Sequence, residues 1–547
     1  MMKRILVSVT VASAIATLTL IGCGSSSNGG TPGAGTGNDG GPDATGNNPG
    51  NDGGVNPGTD GSASNDAGTG NPPLPDGSIL PHGNLLVPGD ALFINGVTSD
   101  DFVIYTDSSG TANTAYALSL AAGSKPISLG AVDPGDDVEV SGKVVFLATT
   151  SDKNGVGAVS VWTSAAAAPV ALSASTFVSQ GGYFFVSADG AHVVFLDALN
   201  ETSQTAAIAV AGTDGTGKTT LVGSVELGNV CFPALGMAGT YAVAAYCEVT
   251  DAGAPDAGEA DGGTNPYIGV VSTFAGPTAW TQATIASTVQ TVFSVDHGAT
   301  KVAVNGLTGT ALYPIGGGTA LPVDANGEIG AITFSPGLFT KDGSHFLYTT
   351  NTQALERAAT TAPVSPVELA PAGKFADVLA LSPDEAWTLG ALSSDPQTGN
   401  VDLYMSSAAT AGTPLTLSSA TTAGLDGTPF TADSTHVLFF TGLSNGAGTL
   451  NALAVTGTTP TAIATNAFTD VATSAAKIIF NDTLGGVGGS TNAADLKAVD
   501  VSTTAAPTLL VTQADPNFTL NTAKTLIVYT WSYTPGASAG LWTLPAP

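Results

Sequence analysis

The chain has 547 residues, enough for several domains or one large repeat architecture, and 43% of them are apolar, which can supply a real core. Charged side chains make up only 10% of it while Gly, Ala, Ser and Thr abound, a mixture that suits short strands and turns better than long salt-bridged helices. Forty-three acidic residues stand against 13 Lys and Arg, a formal net charge of -30, so the surface repels polyanions and a nucleic-acid partner is excluded.

Lys3 and Arg4 open the chain and an uncharged apolar run follows from Ile5 to Ile21. That is the layout of a secretory signal; a transmembrane anchor competes with it, since the run approaches spanning length. The next residues decide between them. Leu20-Ile21-Gly22-Cys23 resembles the lipobox of bacterial lipoproteins. The resemblance implies cleavage after residue 22 and a lipid on Cys23. With Gly24 and not Asp after the cysteine, it implies an outer-membrane or cell-surface address.

From residue 23 to 84 the chain is Gly, Asn, Asp, Pro, Thr and Ser, with too few apolar groups to offset ordering entropy, so disorder is expected. As a random coil this leash reaches roughly 45 Å. Its Asp residues lack the order of an EF-hand loop and the nonapeptide period of a calcium-binding β-helix.

Residues 85–547 repeat a pattern: a short strand, a turn around Asp-Gly, then a polar residue opening a strongly apolar strand. Val186-Ser187-Ala188-Asp189-Gly190-Ala191-His192-Val193-Val194-Phe195 is matched by Thr340-Lys341-Asp342-Gly343-Ser344-His345-Phe346-Leu347-Tyr348. Thr431 to Phe440 and the more divergent Leu381 to Leu389 repeat it again, and the apolar strand recurs every 40 to 60 residues or so. The third unit reads as strands Tyr183–Ser187, Val193–Asp197, Ala207–Ala211 and Thr220–Val225, and the seventh as Asp377–Leu381, Thr388–Leu392, Val401–Met405 and Pro414–Leu417. A lone unit of this kind cannot bury both faces and must stack on neighbours. The expected fold is therefore all-β, a β-propeller of about ten four-stranded repeats in one large ring or two smaller ones. The last unit has only three strands, and a strand near Leu85 to Val87 is expected to complete it and remove an exposed edge.

These units resemble the WD40-like repeats of TolB-type propellers, whose pattern carries Ser-Pro-Asp-Gly before the second strand. The resemblance implies fold far more strongly than function. It makes an envelope protein or envelope component the expected partner, with a hydrolase or lyase at the central channel as the alternative.

Within the third unit, Gly212 to Thr220 fits the phosphate-loop pattern letter for letter. A phosphate loop needs a helix after it; Leu221-Val222-Gly223-Ser224-Val225 reads as another strand, so the stretch is a hairpin turn and no nucleotide is expected. Cys231 and Cys247 fall at strand ends of one predicted hairpin, where a disulfide would close a short loop and add about 3 kcal/mol; two buried free thiols are the other reading. Asp251 to Gly258 reads as a surface loop.

Gly442-Leu443-Ser444-Asn445-Gly446 fits the nucleophile-elbow pattern, but no His follows His436, so the order Ser, acid, His cannot be completed. His192, His345 and His436 share one repeat position, filled elsewhere by Lys143, Lys301, Lys477 and Lys524. A position that accepts either residue is a polar strand start facing solvent. His297 reads as a turn residue and His82 as part of the leash. Asp189, Asp342, Asp384 and Asp433 precede the same strand and should bond turn amides. Channel acids that bind a cation are the functional alternative, with no spacing to say which. The five Trp residues are scattered over different units and suit packing. No catalytic, metal or cofactor site is expected from spacing.

Overall fold

The computed structural model describes residues 82–547 apart from short internal stretches, the longest being 250–266, 329–338 and 484–493. The described residues form eight four-stranded antiparallel sheets and one seven-stranded sheet. The long sheet is two blades that share a strand. Thr461–Ser474 pairs with Ala447–Ala454 up to Phe468, and then with Lys477–Thr483 through Val471 to Ser474. Ten blades result, running in chain order from residues 92–132 to the last, which is built from 518–545.

The second strand of each blade shows why this sequence needs neighbours. Val193, Val194, Phe195 and Leu196 are all 0% exposed. Val193 and Phe195 pack with Val144, Phe146 and Phe184 toward the blade before, while Val194 and Leu196 pack with Ala242, Ala244 and Tyr246 toward the blade after. Successive side chains on a strand point to opposite faces, so a strand sandwiched between two sheets reads as an unbroken apolar run. Ile479 and its flanking Ile478 and Phe480 divide between two neighbouring blades in the same way. Each such side chain contributes about 1.5–3 kcal/mol of burial, which a lone blade would forfeit.

Every blade packs on the next in chain order, and the tenth packs on the first through Phe518–Leu520 and Leu526–Trp531 against Leu92–Val97. Asn517 tightens that joint, its Oδ1 accepting from Ile94 N at 3.0 Å. The blades therefore form one closed ring. The expected closing strand is present: Asn84–Pro88 pairs antiparallel with Gly540–Pro545 as the outer edge of the tenth blade. His82 is not free leash, because its backbone N and O both bond the Tyr529 hydroxyl, at 3.2 and 3.0 Å.

Up-and-down blades give the ring two unlike faces. The turns between first and second strands and between third and fourth strands lie on one, here the turn face. Second-to-third connections and the links between blades lie on the other, the cleft face.

The acidic cleft as candidate functional site

The turns that recur in the sequence are tied by one repeated bond set. Ser187 Oγ donates to Asp189 Oδ1 at 2.6 Å, Asp189 Oδ1 accepts from Ala191 N at 2.9 Å, and Ser187 Oγ accepts from His192 N at 2.9 Å. Thr340 with Asp342, Ser382 with Asp384 and Thr431 with Asp433 repeat it. The residue after the Asp is left-handed each time: Gly190 at φ +69°, Gly343 at +65°, Glu385 at +59° and Ser434 at +60°. These aspartates shape turns, as their sequence positions suggest.

The phosphate-loop stretch is likewise a turn, joining Thr205–Gly212 to the strand Thr219–Glu226. Lys218 does not stand ready for a phosphate. Its Nζ lies 2.8 Å from Asp197 Oδ2, donates to Leu172 O at 2.9 Å and sits 5.5 Å over the Phe195 ring, riveting blade 3 to blade 2. Ser444 ends a strand that pairs straight back to Ala447, where an elbow would require a helix.

The three repeat-position histidines stand in blades 3, 6 and 8 and are half-buried between blades, where the sequence pattern suggested open solvent. Burial, with Arg357 nearby for His345, holds His345 and His436 below the usual histidine range, so both are neutral at pH 7. Their Nδ1 atoms are taken by Ser344 and Thr435 hydroxyls at 2.7 and 2.9 Å. Trp162 and Trp531 are core residues, each donating its indole N–H to a carbonyl, of Ala166 and Thr512 respectively. Cys23, Cys231 and the loop 251–258 lie outside the described residues. Cys247 is in the strand Tyr241–Val249, which forms the expected hairpin with Ala234–Ala238.

One concave feature gathers charge. Between blades 5 and 6, on the cleft face, an open cleft of about 630 Å³ is lined by Asp324, Asn351, Thr352, Glu356, Pro366 and Glu368, with Thr350 and Ala354 at its floor. Asp324 ends the outer strand Leu321–Asp324 of blade 5; Glu356 and Glu368 come from the neighbouring strands Leu355–Ala359 and Val367–Ala370 of blade 6. Glu356 and Glu368 are register partners, so two carboxylates face each other across the ladder, a destabilising arrangement unless a cation attends it. Tyr348, opposite Glu356 on its other side, donates its hydroxyl to Glu356 Oε2 at 2.5 Å. Burial, that hydrogen bond and the charges of Glu356 and Asp324 push the Tyr348 phenol far above its usual range, so it remains a neutral donor. The rim turn is braced by Thr350, whose Oγ1 accepts from Ala354 N at 3.1 Å and bonds the Thr352 hydroxyl at 2.8 Å. Among the described residues no three His, Cys, Asp or Glu side chains are grouped to hold a metal ion. The cleft offers spread negative charge and hydrogen-bond acceptors. Nothing in sequence spacing joins residues 324, 356 and 368; only the strand register and the contact of two blades bring them together.

A closed ten-bladed β-propeller with an acidic cleft at one blade junction is what the fold and site define. No protein-family model and no curated protein sequence matches the chain. Among solved structures it is similar to a eukaryotic initiation factor, at 14% identity and TM-score 0.42 over 67% of this chain and 86% of that one. It is also similar to the β-propeller domain of the Trilobed protease from Pyrococcus furiosus, which has an open velcro topology, at 9% identity and TM-score 0.31 over 60% and 98% of the two chains. A structure assigned as TolB from Agrobacterium tumefaciens matches at 11% identity and TM-score 0.22 over 49% of this chain and 92% of that one. Likenesses of this size carry neither ring size nor activity across.

Proposed function

We propose that the protein is a lipid-tethered scaffold of a bacterial cell envelope, which holds a rigid propeller outside the cytoplasm and uses it to bind another envelope protein. The observation that carries this reading is where the polar side chains go. In the repeated turns and blade joints they hold backbone, as with Asp342, Lys218 and Asn517, while the cleft gathers three carboxylates around one open concavity, Glu356 among them accepting from the Tyr348 hydroxyl. The lipobox-like Leu20 to Cys23 and the polar leash support the tether. Chain leading into Asn84–Pro88 meets the ring on the turn face, opposite the cleft.

Crosslinking in intact cells, purification through a C-terminal tag and mass spectrometry of what accompanies the protein test the binding role. One recurrent stoichiometric partner is expected; recovery of the protein alone from crosslinked and detergent-solubilised samples would sink it. Metabolic labelling with a clickable fatty acid tests the anchor separately, and Cys23→Ala should abolish the label.

A further inference from the structure

We propose that the cleft face as a whole is the docking face, and that its partner presents a Lys/Arg-rich polypeptide segment. The inference rests on the scaffold reading and adds to it the side of the ring that works and the chemistry it accepts.

The ring is electrically two-sided. Lys143, Lys301, Lys341, Lys477 and Lys524 all stand at turns between first and second strands, on the turn face, and so do His192, His297, His345 and His436. Acids brace turn amides on both faces, Asp189 and Asp342 on this one and Asp107 and Asp152 on the other, so the difference between the faces lies in where the cations stand. Across the ring, the only described lysines at the cleft face are Lys374 and Lys497. Lys374 lies 4.9 Å over the Tyr404 ring, and Lys497 is paired with Asp482 at 2.7 Å. Acids at that face come from several blades: Asp90, Asp107, Asp152, Glu201 and Asp324 stand at links and second-to-third connections of the first to fifth blades, and Glu368 joins them from within the strand Val367–Ala370, where it lines the cleft.

Distribution decides the class of partner. A metal ion wants three or more ligands within one coordination sphere, and among the described residues no such group exists. Carboxylates scattered over several blades are matched instead by positive charges spaced along a chain, each near one carboxylate. The open cleft, with Glu356 set against Glu368, is where a basic side chain gains most by entering. Such a field steers a basic partner to this face and turns acidic ones away, an effect strong at low salt and weak beyond a Debye length of about 8 Å at physiological ionic strength.

The test uses the full chain and a fluorescein-labelled Lys/Arg–Gly repeat peptide, read by anisotropy at low and physiological salt. Two triple variants remove equal charge with conservative amides: Asp107→Asn, Asp324→Asn and Glu368→Gln on the cleft face, and Asp101→Asn, Asp214→Asn and Glu385→Gln on the turn face. Circular dichroism melts show that each remains folded. The cleft-face triple should weaken binding about tenfold and the turn-face triple less than about twofold. Equal loss from both triples, or no binding at low salt, overturns the face assignment and leaves the scaffold reading standing on its own partner capture. Displacement of the peptide by an equimolar divalent cation would overturn it in favour of a metal site. Peptide binding that follows the predicted faces, with no cellular partner captured, would keep the face and remove the scaffold.

Discussion

Asp342 shows how much one exposed carboxylate can organise. Its bonds from the Thr340 hydroxyl, Ser344 N–H and Ser344 hydroxyl hold the carboxyl down at about 2. Asp189, Asp214 and Asp500 are lowered in the same way, first by the hydroxyls of Ser187, Thr216 and Ser502. A carboxyl whose folded pKa lies below its unfolded value of 3.8 contributes stability that is complete above 3.8 and is lost as pH falls through the folded value. Urea midpoints should therefore fall between about pH 4 and pH 2. Asp342→Asn, which keeps an acceptor but cannot titrate, should shallow that fall; an unchanged slope would show that the turns do not govern acid stability. These turns were also the most legible part of the sequence, because Ser/Thr, Asp and a residue tolerant of positive φ sit within one local hexapeptide. Lys218 was legible only as a loop residue, since its partners Asp197 and Leu172 come from another strand and another blade. Replacing it by Met leaves Asp197 with Ser173 but without its cation, and should cost about 1–2 kcal/mol in chemical denaturation.

Among the strands, Asn84–Pro88 has the largest consequence for its size. It supplies the fourth strand of the last blade, so the two ends of the folded chain meet in one sheet. That the last repeat lacked a strand could be read by counting, and only antiparallel pairing across the whole ring supplies it. The close approach is built on glycine: a Cβ on Gly540 would lie 2.3 Å from Val87 O, and one on Gly83 would lie 2.0 Å from Thr543 O. Both obstacles are backbone oxygens, which cannot rotate aside. Gly540→Ala should therefore loosen the clasp at a cost of about 1–3 kcal/mol. Limited proteolysis should then cut first near residues 82–90. A variant with the wild-type melting curve and cleavage pattern would show that the ring does not depend on this strand. The shared strand Thr461–Ser474 was harder to foresee, because no turn signal separates the outer edge of one blade from the inner edge of the next.

At the scale of the whole molecule, acid outnumbers base so heavily that self-repulsion has to be a cost of compaction, with a formal charge of -30 on 547 residues. Few attractions oppose it, since the ion pairs among the described residues are Lys218–Asp197 and Lys497–Asp482. Salt screens both signs, so the balance is set by which is more numerous. Raising ionic strength from 10 to 150 mM shortens the Debye length from about 30 Å to about 8 Å, which weakens repulsion between separated charges while leaving contact pairs little changed. The thermal midpoint should rise with salt over that range by a few degrees, as about 1 kcal/mol moves a large domain. Because unbalanced acid is concentrated at the cleft face, the Asp107→Asn, Asp324→Asn and Glu368→Gln triple should flatten the rise, whereas the turn-face triple should leave most of it. A midpoint that falls with salt would mean that ion pairs, and not repulsion, dominate the ring's electrostatics; an equal effect of both triples would mean that the charge is not divided between the faces in any way stability can sense.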